Sequence, residues 1–220
     1  MENKRYVEAS IKGMEREQNK DRIFVQENEE DFLAILFDGV SSANEANEGI
    51  DVAIESINKN RYRLRSGHDK YHLADLMWDA HQAVIDSSIS SPFTTYSAVF
   101  FPKASTNGTF SNLGDSRIYE VTPQYVKQLS TDDNLIHNKN VVTRYLGMLN
   151  LERHQIVEFA LDAKEKRVLL CSDGFYSILE QNLSRFHEVL NFKRSADITK
   201  ALSQEIRRKN SDDSSYILIF

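Results

Sequence analysis

The order of periodicities along the chain predicts an α+β fold in which antiparallel sheets are stacked between layers of helix. Three observations carry this. Strand-like apolar runs open the sequence and are followed by two stretches of helical spacing. A long middle section is rich in β-branched and aromatic residues broken by turn signals. Helical spacing then returns before a last apolar run. Regularly alternating strands and helices would instead point to a parallel sheet.

Tyr6 to Ile11 and Ile23 to Gln26 are expected strands, and Leu33 to Phe37 a strand apolar on both faces, suited to an inner layer. From Ala43 to about Asn60, Ile50, Ala53, Ile54 and Ile57 recur at helical spacing. Leu73, Leu76, Met77, Ala80 and Val84 do so between Leu73 and Ile85. Strands are expected at Thr94 to Phe101, Thr109 to Leu113, Arg117 to Val121 and Tyr125 to Leu129, with turns at Asn107-Gly108 and Gly114-Asp115. Gln155 to Ala160 and Arg167 to Cys171 continue the β pattern. Leu183 to Leu190 and Ala196 to Arg208 have helical spacing, and Tyr216 to Phe220 forms a last strand.

A chain of 220 residues, 40% apolar and 27% charged, supports one sizeable core. With three prolines and eight glycines it contains no low-complexity linker, so one domain spanning 1–220 is expected. The net charge of -6 argues against nucleic acid and anionic membrane as partners. The basic clusters Arg61-Tyr62-Arg63-Leu64-Arg65 and Arg207-Arg208-Lys209 are expected to be solvated faces. Cys171, the single cysteine, lies inside an apolar run and is expected to be a buried thiol. Met1 to Gly13 lacks the apolar core of a signal peptide, and no run approaches the ~18 residues of a membrane span. A cytoplasmic monomer is the expectation.

Four acidic turns abut expected strands: Asp38-Gly39, Gly114-Asp115-Ser116-Arg117, Ser172-Asp173-Gly174 and Ser211-Asp212-Asp213-Ser214. Singly, Asp-Gly is an ordinary turn. Together, carboxylates at strand ends are the donors that hard cations such as Mg²⁺ or Mn²⁺ require. The histidines show no zinc-binding spacing, and one cysteine cannot complete a Cys/His zinc site.

The wording and order of these turns resemble the metal-dependent protein phosphatases (PPM, the type 2C serine/threonine phosphatases), over nearly the whole chain. "REQNKD" at Arg16 to Asp21 resembles R-x-x-N-E-D, "LFDGVSS" resembles F-D-G-x-G-G, and "TTYSAVFF" the T-T strand after the helices. "NLGDSRIY" matches N-x-G-D-S-R-x-Y, "LSTDDN" resembles L-T-x-D-H-S, and "VTRYLG" resembles L-T-R-x-L-G. "LLCSDGFYSIL" resembles L-L-x-S-D-G-L-x-D, and "SDDSSYILIF" the D-N-x-T ending.

The resemblance implies a central antiparallel β-sandwich flanked by helices on both faces, a four-layer αββα arrangement. It implies hydrolysis of phosphoserine and phosphothreonine, on proteins phosphorylated by a serine/threonine kinase, by a metal-activated water. Carried over by motif, Asp38 bridges two Mn²⁺ or Mg²⁺ ions and the Gly39 carbonyl ligates one. Asp173 and Asp212 hold the second, and Asp115 with Asp173 matches a third-ion position of bacterial members. Arg16 matches the arginine that binds the substrate phosphate, which suits its planar fork. Asp38, Asp173 and Arg16 are thus the expected catalytic set, with Ser116 and Ser172 as turn or supporting residues.

Three departures accompany the match. Val40 stands where eukaryotic members carry a histidine. Lys20 replaces a glutamate that orients water on the first metal, and its ammonium is expected to point away or to sit against Asp21 or Glu17. Residues 135–141 leave only a reduced flap beside the site. The change at Lys20 is what supports an alternative, a catalytically weak or inactive PPM-fold pseudophosphatase that acts as a binding or regulatory module.

Overall fold

The strands, numbered in chain order, are β1 (Tyr6–Ile11), β2 (Asp21–Glu27), β3 (Asp31–Gly39), β4 (Thr94–Pro102), β5 (Asn107–Leu113), β6 (Arg117–Val121), β7 (Val126–Gln128), β8 (Asn134–Leu135), β9 (Asn138–Val142), β10 (Glu158–Asp162), β11 (Arg167–Cys171) and β12 (Ser214–Ile219). The helices are α1 (Ala46–Asn60), α2 (Leu73–Asp86), α3 (Asp173–Gln181), α4 (Leu183–Leu190) and α5 (Ser195–Ile206). These elements come from a computed structural model that describes residues 5–64, 71–102, 105–207 and 209–220. Arg65 and Arg208 of the basic clusters lie outside the described residues.

Two antiparallel sheets, ordered β1-β12-β11-β6-β7 and β10-β5-β4-β3-β2, form the centre. Alternation along β3 shows how they stack. Leu33, Ile35 and Phe37 pack with Ile50, Ala53 and Ile57 of α1 and Leu76, Met77 and Ala80 of α2. The intervening Phe32, Ala34 and Leu36 pack with Val168, Leu170, Ile217 and Ile219 of the opposite sheet. In β11 the same alternation sends Leu169 and Cys171 towards Phe175, Phe186, Ile198 and Leu202 of α3, α4 and α5. Both central strands are therefore apolar on both faces because each faces a helix layer and a sheet layer. The result is the expected four-layer αββα arrangement. Cys171 is fully buried and burial pushes its thiol well up, consistent with a structural role.

Local differences from the sequence expectation have physical causes. Asn107-Gly108 is not a turn but the start of β5: a Cβ at Gly108 would lie 2.3 Å from the Phe100 carbonyl oxygen, so the strands approach closely there. The strand expected at Gln155 begins later, because Arg153–Gln155 form a 3₁₀ turn closed by Glu152 N–H donating to Gln155 Oε1 at 2.8 Å. Residues 134–142 form a small hairpin, β8 with β9. Asp173-Gly174 opens α3 rather than a turn.

Candidate metal centre

Register brings the acidic turns to one end of the sandwich. Within one sheet Asp21 pairs with Asp38, and Asp38 with Thr95. In the other, Cys171 pairs with both Arg117 and Tyr216, so Asp115, Asp173 and the 211–213 loop leave the sheet at one end. Arg16, in the β1–β2 connection, is carried over the same end.

Each segment is fixed locally. Thr94 Oγ1 donates to the Asp38 carbonyl at 2.9 Å. Gly114 has φ of +97°, a conformation that favours glycine, and it turns the chain so that Asp115 is buried between β5 and β6. Behind that turn the hydroxyls of Ser116 and Thr95 meet at 3.0 Å, and Asn112 Nδ2 donates to the Ser116 carbonyl at 2.8 Å. Asp173 is the first residue of α3, where a helix start favours negative charge, and its N–H faces Asp38 Oδ2 at 3.5 Å. Ser172 Oγ accepts from the Ser215 N–H at 2.9 Å, tying α3 to β12. Both serines are thus engaged as supports.

Arg16 and Asp212 face each other directly. Nε donates to Oδ1 at 2.6 Å, Nη2 donates to Oδ2, and Nη2 also donates to Ser41 Oγ at 3.0 Å. The loop bearing Arg16 is held by its neighbour Asp213, whose carboxylate accepts the N–H groups of Gly13 and Lys20 at 2.8 Å each.

The electrostatics are those of crowded carboxylates. Asp38 is held well above the ordinary range by loss of water and then by Asp21, Asp173, Asp115 and Asp212. Burial, followed by Asp115 and Asp212, pushes Asp173 up to about 7, and burial pushes Asp115 to about 6. Asp21 also rises to about 7, first through burial; the hydroxyls of Ser215 and Ser172 partly counter this. Its buried Oδ2 has no hydrogen-bond partner.

Asp21 and Asp213 were named within motifs but given no role at the site by sequence reasoning. The signal for Asp21 was the last position of "REQNKD"; its pairing opposite Asp38 required the strand register. Lys20 behaves as the first of its expected alternatives, with its ammonium turned to the carbonyls of Ser41 and Ala43, each at 2.9 Å.

This donor set fits divalent cations. It is all oxygen, its members raise one another's proton affinity, and one buried carboxylate oxygen is orphaned. Among the described residues no three carboxylates converge closely enough to enclose an ion as they stand. One reason is visible: Asp212 is drawn onto Arg16.

The family model described as protein phosphatase 2C matches residues 14–208. The chain belongs to the protein phosphatase 2C family. It is accordingly a metal-dependent protein serine/threonine phosphatase, using Mn²⁺ or Mg²⁺ and acting on phosphorylated proteins. Solved structures agree in fold. The serine/threonine phosphatase of S. agalactiae is 20% identical, with 98% of each chain covered and a TM-score of 0.78. The PPM Ser-Thr phosphatase MsPP of Mycobacterium smegmatis, in complex with cacodylate, is 18% identical, with 97% of each chain covered and a TM-score of 0.75. The catalytic domain of PstP, in complex with two manganese ions, is 19% identical, covering 97% of this chain and 96% of that one, with a TM-score of 0.72. No curated protein sequence matches the chain. Nothing in the structure or these comparisons favours an inactive module. Among the described residues no helix is long and apolar enough to cross a membrane.

Proposed function

We propose that the phosphatase reaction of this chain takes place at the Asp38 end of the sandwich. Asp38 and the Gly39 carbonyl would hold a first divalent ion, Asp38 with Asp173 and Asp212 a second, and Asp115 with Asp173 a third. The observation that carries this is geometric: strand register brings the segments bearing Asp38, Asp115, Asp173 and Asp212 to one end of the sandwich, where the Asp173 N–H faces Asp38 Oδ2 at 3.5 Å. When bound, the ions supply a water acidic enough to be hydroxide near neutral pH and offset charge on the phosphoryl oxygens. Arg16 binds the substrate phosphate through its two-pronged guanidinium. Its pairing with Asp212 stores it beside the reaction centre, and a phosphate dianion competes for the same donors. The start of α3 points its N–H groups towards the carboxylates and favours negative charge there. No protein nucleophile takes part: Ser116, Ser172 and Cys171 are buried and engaged in packing or support.

Substrates are proposed to be phosphoserine and phosphothreonine proteins made by a serine/threonine kinase. A single domain spans 1–220, with the β8–β9 hairpin as its reduced flap. We infer a monomer, because exposed large apolar residues such as Ile136, Leu149 and Phe159 are scattered along the chain. A cytoplasmic location is supported by the single buried thiol. The deciding experiment is hydrolysis of para-nitrophenyl phosphate with and without Mn²⁺, with Asp173→Asn as control. Metal-dependent turnover lost in the variant is expected; turnover retained in the variant would overturn the assignment.

A further inference from the structure

We propose that Lys20 is a positioning residue for substrate phosphate: its ammonium pins the turn that follows Asp38-Gly39, and thereby sets Ser41 beside Arg16. This rests on the assignment of Arg16 to phosphate binding.

Lys20 is tied to the turn through main chain and side chain together. Its N–H donates to Asp213 Oδ2 at 2.8 Å, and its carbonyl accepts the Gly39 N–H at 3.1 Å. Gly39 packs so tightly on it that an added Cβ would stand 2.9 Å from Lys20 Cβ. The half-buried side chain then runs alongside the turn and ends on the Ser41 and Ala43 carbonyls at 2.9 Å each. Those two carbonyls belong to a short reversal closed by Ala43 N–H donating to Val40 at 2.8 Å, and anchored behind by Val40 N–H donating to Phe93 at 3.0 Å.

An ammonium with three donors is well suited to this task, since both carbonyls accept from it and charge-assisted bonds are the strong ones. Between these two carbonyls lies Ser42, and Ser41, exposed, turns its hydroxyl to accept from Arg16 Nη2 at 3.0 Å. Lys20, Ser41 and Arg16 thus form one chain of contacts from the β2 start to the guanidinium. Arg16 is held on one side by Asp212 and on the other by Ser41. When phosphate takes the place of Asp212, Ser41 is the partner left to orient the fork, and its hydroxyl stands within reach of the same phosphate. A glutamate at position 20 could not make these bonds, because its carboxylate would meet two carbonyl oxygens.

The test compares Lys20→Met, Lys20→Arg, Lys20→Glu, Ser41→Ala and Arg16→Ala in full-length, Mn²⁺-loaded protein with para-nitrophenyl phosphate. It is joined by competition with inorganic phosphate, manganese calorimetry and hydrogen exchange of the 40–43 amides. When the turn is released, the charge-assisted bond from Arg16 Nη2 to Ser41 Oγ is lost, and one such bond is worth about tenfold. Lys20→Met is therefore expected to raise KM and the phosphate inhibition constant about tenfold with kcat little changed. Exchange at 40–43 should quicken, Lys20→Arg should restore most of the loss, and Lys20→Glu should be no better than Lys20→Met. If Arg16→Ala raises KM but Lys20→Met does not, the positioning role is wrong while the assignment of Arg16 stands. If Arg16→Ala leaves KM unchanged, that assignment has failed first. An effect of Lys20→Met confined to manganese affinity or kcat, or tighter metal binding with lower KM in Lys20→Glu, would also overturn the proposal.

Discussion

Arg16 grips Asp212 with two nitrogens of its guanidinium, Nε on Oδ1 at 2.6 Å and Nη2 on Oδ2. One residue is proposed for substrate phosphate and the other for a metal ion, so each ligand must draw one partner away from the other. Arg16→Ala is expected to raise KM for phosphopeptides by ~10-fold or more while leaving manganese affinity equal or tighter, since Asp212 loses a competitor. Steady-state kinetics with manganese calorimetry on the same protein check both halves. Weaker manganese binding would mean that Arg16 supports the metal site instead of sharing Asp212 with it.

Removing the metals should abolish hydrolysis, and so should Asp38→Ala or Asp173→Ala. Repulsion among the carboxylates adds a second expectation. Because Asp38 suffers from four neighbouring acids, Asp38→Asn should raise the melting temperature of EDTA-treated protein while abolishing turnover and the stabilisation by Mn²⁺. For a chain of this size each kcal/mol of relief corresponds to ~2–4 °C. An unchanged or lower melting temperature would contradict the electrostatic account.

Gly174 leaves no room for a side chain: its Cβ would stand 2.0 Å from the Asp213 carbonyl oxygen. Gly174→Ala is expected to cost roughly 3 kcal/mol, by pushing α3 off β12. Since Asp173 begins that helix, activity should fall more than stability alone requires. Denaturant unfolding and turnover below the transition separate the two effects.

Arg117 joins three elements. It donates from Nε and Nη2 to Asp132, at 2.7 Å for Nη2, and from Nη1 to Glu180 at 2.5 Å, and it lies 3.6 Å over the Tyr176 ring. Truncation to Met removes the charged partner of Asp132, which keeps only the Gln128 amide donating to its Oδ1 at 2.8 Å, and is expected to cost about 3 kcal/mol. Lysine should rescue little, because it cannot reproduce the fork. Full rescue by Arg117→Lys would show that charge alone matters there.

His81, buried on α2, accepts the Gly147 N–H at Nδ1 over 3.3 Å, and burial lowers its pKa to about 4. The folded value lies below the unfolded one, near 6.5, so folding favours the neutral ring. Its contribution to stability is full above 6.5 and is lost as pH falls towards 4, amounting to ~3 kcal/mol at most. His81→Asn, which keeps an acceptor but cannot protonate, should show a shallower loss of melting temperature between pH 7 and 4.5. Parallel pH profiles would exclude His81 as the cause.

The sequence by itself determined the layers and the chemistry. The continuous apolar runs Leu33 to Phe37 and Val168 to Cys171 are the local mark of strands covered on both faces, and they can be read without contacts. The motif aspartates are likewise local, since each ends a strand or opens a turn. Only the tertiary structure decided the rest. Asp21 was only the last letter of a motif until register set it opposite Asp38. Asp173 was an apparent turn until the chain after it wound into α3 against β12. The partners of Arg16 and Lys20 were also beyond sequence: Asp212 lies 196 residues from the first, and the 41–43 carbonyls belong to a different loop from the second. Pairings of that kind depend on which backbones approach at one end of the sandwich, and local periodicity carries no such information.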